Sequence, residues 1–293
     1  MRSEISLSAP AKINLSLRVL RRREDGFHEI ATRMVPLGLA DEVEMRRLEG
    51  GEAGTVEFWC DDETVPGDER NLAVRAVRAL EGRCGKLPAV GIRLKKCVPH
   101  GAGLGGGSSD AAAVLRGMNE LFELGLSVEA LSEAAAAIGS DIPFFLHGCV
   151  CDATGRGEVV TPVEGWGGGL RVLLVKLPFG VPTPWAYREW RDSREVPGLP
   201  YGEQVLAEGE VLVNDLERPV FAKYPVLGML KRRLLEMEGV SGALMSGSGS
   251  TVFAVLDEGA ALEPVLAAVR EECGEELWWC ETRAGAGEVR SEK

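Results

Sequence analysis

The chain has 293 residues, 45% apolar and 27% charged, the balance of a globular protein long enough for about two domains, each with its own core. Its net charge of −12 argues against a nucleic-acid or anionic-membrane partner, which most of the surface would repel, so an anionic small molecule must be met by local donors. Seven cysteines without a C-x-x-C pair and three scattered histidines argue against a zinc site, and no apolar run approaches a membrane span, so the expectation is a soluble, reduced, cytoplasmic protein.

From Ala11 to Leu20 apolar and polar residues alternate, with Ile13, Leu15, Leu17 and Val19 on one face and Lys12, Asn14, Ser16 and Arg18 on the other. This predicts a half-buried strand whose polar face is free for work, although by itself Lys12 reads as a solvated lysine. A charged turn, Arg21 to Gly26, leads into a second strand opened by Phe27-His28-Glu29-Ile30, where Phe27 alone is an edge aromatic and His28 a surface residue. Asp41 to Leu48 and Thr55 to Cys60 read as further strands, and the acidic stretch Asp61 to Glu69 as a surface loop. Asn71 to Arg83 has the spacing of an amphipathic helix, with Leu72, Val74, Ala76, Val77 and Leu80 inward and a stop at Gly85. Gly91 to Val98 alternates as a half-exposed strand.

The next stretch, Pro99 to Asp110, reads PHGAGLGGGSSD and stands before an alanine-rich helical pattern, Ala111 to Phe122. Glycines allow positive φ and a close backbone approach, and the first turn of a helix offers unpaired N–H groups to an anion. Ser108 or Ser109 can cap the helix, or turn a hydroxyl to a phosphate or its magnesium. No Lys-Ser or Lys-Thr follows, so the Walker form fails. Gly101, Gly103 and Gly106 satisfy G-x-G-x-x-G, but a dinucleotide site needs an apolar strand before it and an acid on a second strand after it, and neither is present. The protein-kinase set of V-A-I-K, H-R-D and D-F-G is also absent.

Beyond the loop, Val128 to Ile138 predicts a helix capped by Ser127, followed by Gly139-Ser-Asp-Ile-Pro-Phe-Phe145, in which Asp141 can be an Asx turn before Pro143. Cys149 and Cys151 suit one face of a strand. Turn residues fill Val160 to Gly169 and a new strand starts at Leu170, which suggests domains at 1–160 and 161–293. Val181-Pro-Thr-Pro-Trp-Ala-Tyr187 follows, then an irregular stretch, Asp192 to Gly209, and a possible helix start at Asn214-Asp-Leu-Glu217. A helix over Pro225 to Glu238 precedes two apolar strands, Val240 to Met245 and Thr251 to Leu256, joined by Ser246-Gly-Ser-Gly-Ser250. A last helix, Gly259 to Glu272, a strand, Glu276 to Thr282, and a frayed tail from Ala284 to Lys293 end the chain.

Three of these strings, P-A-K-I-N-L from Pro10, P-x-x-x-G-L-G from Pro99 with its Ser-Ser, and SGSGS at Ser246, resemble the three motifs of the GHMP kinase superfamily. The resemblance implies an α+β, two-domain fold, with a ribosomal-protein-S5-domain-2-like first half and a ferredoxin-like second half. D-G-F-H, G-S-D-I-P-F-F and the P-T-P string resemble the branch that phosphorylates the 2-hydroxyl of 4-diphosphocytidyl-2-C-methyl-D-erythritol with ATP and Mg2+ in the non-mevalonate isoprenoid route. Gly106-Gly107, an insertion relative to the usual G-L-G-S-S, points the same way. By that resemblance Lys12 and Asp141 are catalytic. Pro99, His100, Gly101, Ala102, Gly103, Leu104, Gly105, Gly106, Gly107, Ser108 and Ser109 hold ATP, with Ser109 a candidate metal ligand. Asn14, Phe27, His28, Thr183 and Tyr187 meet the cytidyl diphosphate substrate, with Phe27 where the branch usually has tyrosine and Trp185 a rival to Tyr187. A monomer or homodimer is expected. The competing readings are a homoserine or mevalonate type of kinase, a dinucleotide-binding oxidoreductase, and a nucleotide-binding module without turnover.

Overall fold

The computed structural model describes residues 2–207 and 209–285. Two long strands, β1 (Glu4–Arg22) and β2 (His28–Arg47), form an antiparallel hairpin that everything else is built upon. The stretches expected as separate strands at Phe27 and at Asp41 are one strand. Its interruption at Pro36 to Ala40 is accommodated by the register shift between Pro10 and Lys12, and two further shifts lie between Asn14 and Ser16 and between Val19 and Arg21. Along its length β2 takes three further partners: β4 (Val90–Lys95) beside residues 42–47, β12 (Trp278–Ala284) at Leu37, and β5 (Cys151–Thr154) beside residues 32–34. β3 (Val56–Cys60) adds to β4, and β6 (Val159–Pro162), a strand in a stretch read as turns, adds to β5. Cys149 lies just outside β5, with its sulfur 3.9 Å from that of Cys151.

The second half adds β7 (Leu170–Lys176), β8 (Gln204–Val205), β9 (Val211–Asn214), β10 (Val240–Met245) and β11 (Thr251–Leu256). The continuous order is β10-β11-β7-β12-β2-β1-β9-β8. Helices α1 (Leu72–Cys84), α2 (Gly106–Leu121), α3 (Val128–Ala136) and α4 (Ile142–His147) cover the first half around Met34, Met45, Ile92, Leu115 and Phe144. A second cluster gathers α5 (Thr183–Glu189), α6 (Glu217–Lys223), α7 (Pro225–Leu235) and α8 (Leu262–Cys273) over Leu173, Val175, Ala243 and Val252. A third, with Ile13, Leu15, Leu104, Leu174, Leu244 and Phe253, joins strands from both halves. Ser127 caps α3 as its sequence suggests, and Asn71, read as the first residue of its helix, is the cap of α1.

One boundary bears on function. α2 starts at Gly106, not at Ala111, because Gly106 packs so closely on Val98 that an added Cβ would lie 3.0 Å from its Cγ1, and the buried Ser109 and Asp110 already belong to the helix. Low glycine propensity hides this start from a sequence reading. Neither Ser108 nor Ser109 caps the helix; the N-cap is Gly105, in the left-handed region with φ +72. No helix among the described residues is long and apolar enough to cross a membrane, and most of the expected tail, 286–293, lies outside them.

Candidate active site

A cavity of about 1330 Å³ opens where the 99–105 loop, β1, the starts of α4 and α5 and the 246–250 turn converge. The loop ends in the N-terminus of α2, whose first intrahelical bond runs from Ser109 N to Gly105 O, so the N–H groups of Gly106, Gly107 and Ser108 have no intrahelical acceptor and no side-chain cap. These residues line the cavity, as do Pro99, His100, Gly101, Ala102, Gly103 and Gly105. The loop carbonyls turn the other way. Leu104 O accepts from Lys12 N at 2.9 Å, and Gly103 O accepts from Lys12 Nζ and Ser246 Oγ, each at 3.0 Å. Donors therefore face the cavity while acceptors face the scaffold, the polarity an anionic ligand requires.

Two glycines make this possible. A Cβ on Gly103 would lie 2.2 Å from Ser246 O, and one on Gly105 would lie 2.8 Å from Phe145 Cζ and 3.0 Å from Lys12 Cγ. Leu104 is buried in the shared core and Ser109 is 1% exposed; neither lines the cavity, and the Ser109 hydroxyl has no hydrogen-bond partner. Of the two serines, only Ser108 lines the cavity.

Lys12, from a strand face that looked solvated, is 3% exposed. Its ammonium donates to Asn14 Oδ1 at 2.7 Å and to Gly103 O, and lies 3.8 Å from Asp141 Oδ2. Burial lowers its pKa and the Asp141 carboxylate pushes back. The Asn14 amide is held in turn by Thr32, whose hydroxyl accepts from Nδ2 at 2.8 Å and donates to Ser16 O. Asp141 occupies the N-cap position of α4 but bonds no helix N–H, because Pro143 follows and its side chain points into the cavity. A gap of 3.8 Å is too long for a good hydrogen bond between the two groups and leaves both able to contact one oxygen atom.

Phe27, His28, Thr183 and Tyr187 also line the cavity. His28 stacks on Tyr187 with ring centroids 5.4 Å apart and meets the edge of Trp190 at 6.1 Å. Burial, helped by Arg22, lowers the His28 pKa and so favours the neutral ring, with one donor and one acceptor nitrogen. Burial and the nearby Asp141 charge keep the Tyr187 hydroxyl protonated. Phe27 is 51% exposed and does not pair with Tyr187; the guanidinium of Arg156 stands over its ring. Trp185 faces elsewhere, packed on Tyr224 with Lys223 over its ring.

The 246–250 turn is anchored from behind. Thr183 Oγ1 bonds Ser248 Oγ at 2.8 Å, and the Asn214 amide donates to Met245 O and Gly247 O. Glu217 accepts from Met245 N and pairs with Lys231 at 2.6 Å in full burial. The Asn-Asp-Leu-Glu string is therefore a brace for the turn as well as a helix start. Also missed by sequence reasoning were Val65, Pro66, Arg70 and Leu72 on the cavity wall beyond the glycine loop, and the charged cluster of Lys96 with Asp41 and Asp110. Only the packing of α1 and β4 against the loop brings them there. Among the described residues no group of three or more His, Cys, Asp or Glu could hold a metal ion.

Residues 71–149 match the GHMP kinases N terminal domain family and residues 204–275 the GHMP kinases C terminal family. The chain is 43% identical over 266 residues to a protein of Synechococcus sp. named 4-diphosphocytidyl-2-C-methyl-D-erythritol kinase, covering 86% of this chain and 84% of that one. A protein of the same name from Geobacillus thermodenitrificans is 39% identical over 280 residues, with 92% and 94% covered. A crystal structure of a 4-(cytidine 5'-diphospho)-2C-methyl-D-erythritol kinase superposes with a TM-score of 0.77 at 34% identity, over 97% of this chain and 100% of that one. The homoserine kinase of Cytophaga hutchinsonii shares the fold, with a TM-score of 0.70 at 18% identity over 98% and 96% of the two chains. The paired lysine and aspartate, the open helix N-terminus and these likenesses agree: the chain belongs to the 4-diphosphocytidyl-2-C-methyl-D-erythritol kinase family of the GHMP kinases.

Proposed function

We propose that this chain transfers the γ-phosphoryl group of ATP to the 2-hydroxyl of 4-diphosphocytidyl-2-C-methyl-D-erythritol, a step of non-mevalonate isoprenoid precursor synthesis. The observation that carries the reading is one continuous cavity lined by uncapped helix donors, by the Lys12–Asp141 pair and by an aromatic subsite with His28 against Tyr187. The N–H groups of Gly106, Gly107 and Ser108 hold the triphosphate. The acceptor hydroxyl sits against Lys12 Nζ and Asp141 Oδ2; Asp141 takes its proton, and the ammonium steadies charge on the attacking oxygen. Because phosphoryl transfer passes through a loose transition state, alignment and fixed charge supply most of the acceleration.

Asn14 fixes Lys12 and borders the acceptor. Neutral His28 can pair with the polar edge of cytosine, whose face lies on Phe27 and is closed in by Tyr187. Magnesium, when bound, neutralises charge on the phosphate oxygens. The donor set fits an ion held mainly by those oxygens and water, with the Ser108 hydroxyl as the protein's contribution. We take 1–160 and 161–293 as the two domains, with the reaction at their junction.

The test is an acceptor panel with γ-labelled ATP: the cytidyl diphosphate polyol, homoserine and mevalonate. Label on the first alone is the expected result. Transfer to homoserine or mevalonate instead would assign another kinase of the same fold, and ATP binding without transfer would make the chain a nucleotide-binding module.

A further inference from the structure

Resting on that reading, the covalent order of the acceptor sets a requirement that Lys12, Asp141 and the aromatic subsite leave unmet. Its base lies at one end, its reacting polyol at the other and two phosphates between them. With the base at Phe27 and His28 and the hydroxyl at Asp141, the diphosphate must cross the space between, in a protein of net charge −12.

The turn between β5 and β6, Gly155-Arg156-Gly157, touches both ends of that path. Ile30 N donates to Gly155 O at 2.8 Å, which fixes the turn to the start of β2 just after His28. Gly157, with φ +109, comes so near that an added Cβ would lie 3.7 Å from Asp141 Oδ1. Between these anchors the Arg156 guanidinium stands over the ring of Phe27, 4.8 Å from its centroid, on the cavity wall. Glu158 holds it from one side, through Arg156 N and a long 3.4 Å contact to Nε. Among the described residues its two terminal nitrogens have no hydrogen-bond partner.

Of the other arginines on the cavity wall, Arg21 pairs with Glu29, Arg188 with Glu189, and Arg70 stands beyond the glycine loop with Asp68, while Arg22 and Arg191 make no ion pair among the described residues. Arg156 is set apart from these two by its turn, which is tied both to the start of β2 and to the neighbourhood of Asp141.

We infer that Arg156 is a further substrate-binding residue, whose terminal nitrogens hold the diphosphate of the acceptor while the guanidinium steadies Phe27. A guanidinium suits this task because it can offer two parallel N–H groups to phosphate oxygens and still stack on a ring.

The test uses the full-length chain and its Arg156→Ala, Arg156→Gln and Arg156→Lys variants, with steady-state kinetics and with cytidine and cytidine 5'-diphosphate as competitors of the acceptor. Loss of a charged hydrogen-bond pair is expected to raise the acceptor Michaelis constant and the inhibition constant of the diphosphate by roughly tenfold to a hundredfold in Arg156→Ala. Arg156→Gln should match Arg156→Ala, and Arg156→Lys should fall between it and the parent. Cytidine inhibition and the ATP Michaelis constant should move by no more than about twofold, at unchanged melting temperature. Unchanged acceptor and diphosphate constants would overturn the inference, and so would equal weakening of cytidine and its diphosphate, which would leave Arg156 only as a support for Phe27. A parent chain that neither turns over the acceptor nor binds cytidine 5'-diphosphate would instead bring down the functional reading beneath it.

Discussion

Gly103→Ala probes the junction between the phosphate loop and the 246–250 turn. The new methyl would stand 2.2 Å from Ser246 O and 3.1 Å from both N and O of Gly249, all backbone atoms that cannot rotate away. The two segments must therefore separate by about 1 Å to restore van der Waals contact. Gly103 O is the common acceptor for Lys12 Nζ and Ser246 Oγ at 3.0 Å, so that opening takes the Ser246 bond beyond hydrogen-bond range and draws Gly103 O from Lys12, which Asn14 then holds alone. Overpacking costs about 1–3 kcal/mol, and alanine at φ +76 adds about 1–2 kcal/mol. A loss of roughly 2–5 kcal/mol is within what a domain of 5–15 kcal/mol tolerates, so the variant should fold. Displacing the lysine by about 1 Å should lower turnover about a hundredfold. Gly125→Ala, at φ +66 with no neighbour within 4 Å, is the control: the same backbone strain and turnover within about twofold. Urea unfolding and a coupled ADP-release assay read the two effects. If Gly103→Ala turned over like the control, the contact between the loops would have no catalytic role.

Lys12→Met keeps the volume of the buried side chain but removes its charge; turnover should fall by about a hundredfold to a thousandfold while ATP still binds, as equilibrium titration would show. Phe27→Leu should raise the acceptor Michaelis constant several-fold, whereas Trp185→Leu should leave it unchanged and cost about 1–3 kcal/mol of stability through lost packing on Tyr224. Asp110 has its carboxyl pushed up to about 7, chiefly by burial and further by Asp41, against the pull of Lys96 at 2.8 Å. Because the folded state then holds a proton that the unfolded chain releases near pH 4, stability should fall as pH rises from about 4 to about 7. Urea midpoints across that range should decline less steeply in Asp110→Asn; an identical slope would show that Asp110 does not titrate there.

The parts of the site legible in the sequence are those whose chemistry is local. The glycine run announced an anion cradle because positive φ and missing side chains are written in residue types, and the period-2 pattern placed Lys12 on a polar strand face. What the pattern could not carry was burial supplied from far along the chain. Lys12 is buried by the Gly103 and Gly247 loops, and it meets Asp141 only because α4, packed on α2 and α3, brings its start to the cavity. The helix start at Gly106 was hidden because tertiary packing on Val98 overrides glycine's poor propensity. β2 looked like two strands because Gly38 and its neighbours break the alternation, and only the three partners along its edge reveal its continuity. Asn214 and Glu217 read as a helix start since nothing local shows that their side chains reach the 246–250 turn. Arg156 carried no signal in the sequence, since a turn arginine reads as solvated until Phe27 and Asp141 are seen on either side.

The central claim is that Asp141 takes the proton of the acceptor hydroxyl while Lys12 holds it in place. Single-turnover transfer of the γ-phosphoryl group from saturating ATP to the cytidyl diphosphate polyol, compared between the parent chain and Asp141→Asn, tests it most directly. The substitution keeps the shape of the side chain and removes its basicity. A fall of about a hundredfold or more in the transfer rate with unchanged ATP binding is the predicted result; transfer at the parent rate would contradict the mechanism and remove Asp141 from the chemistry.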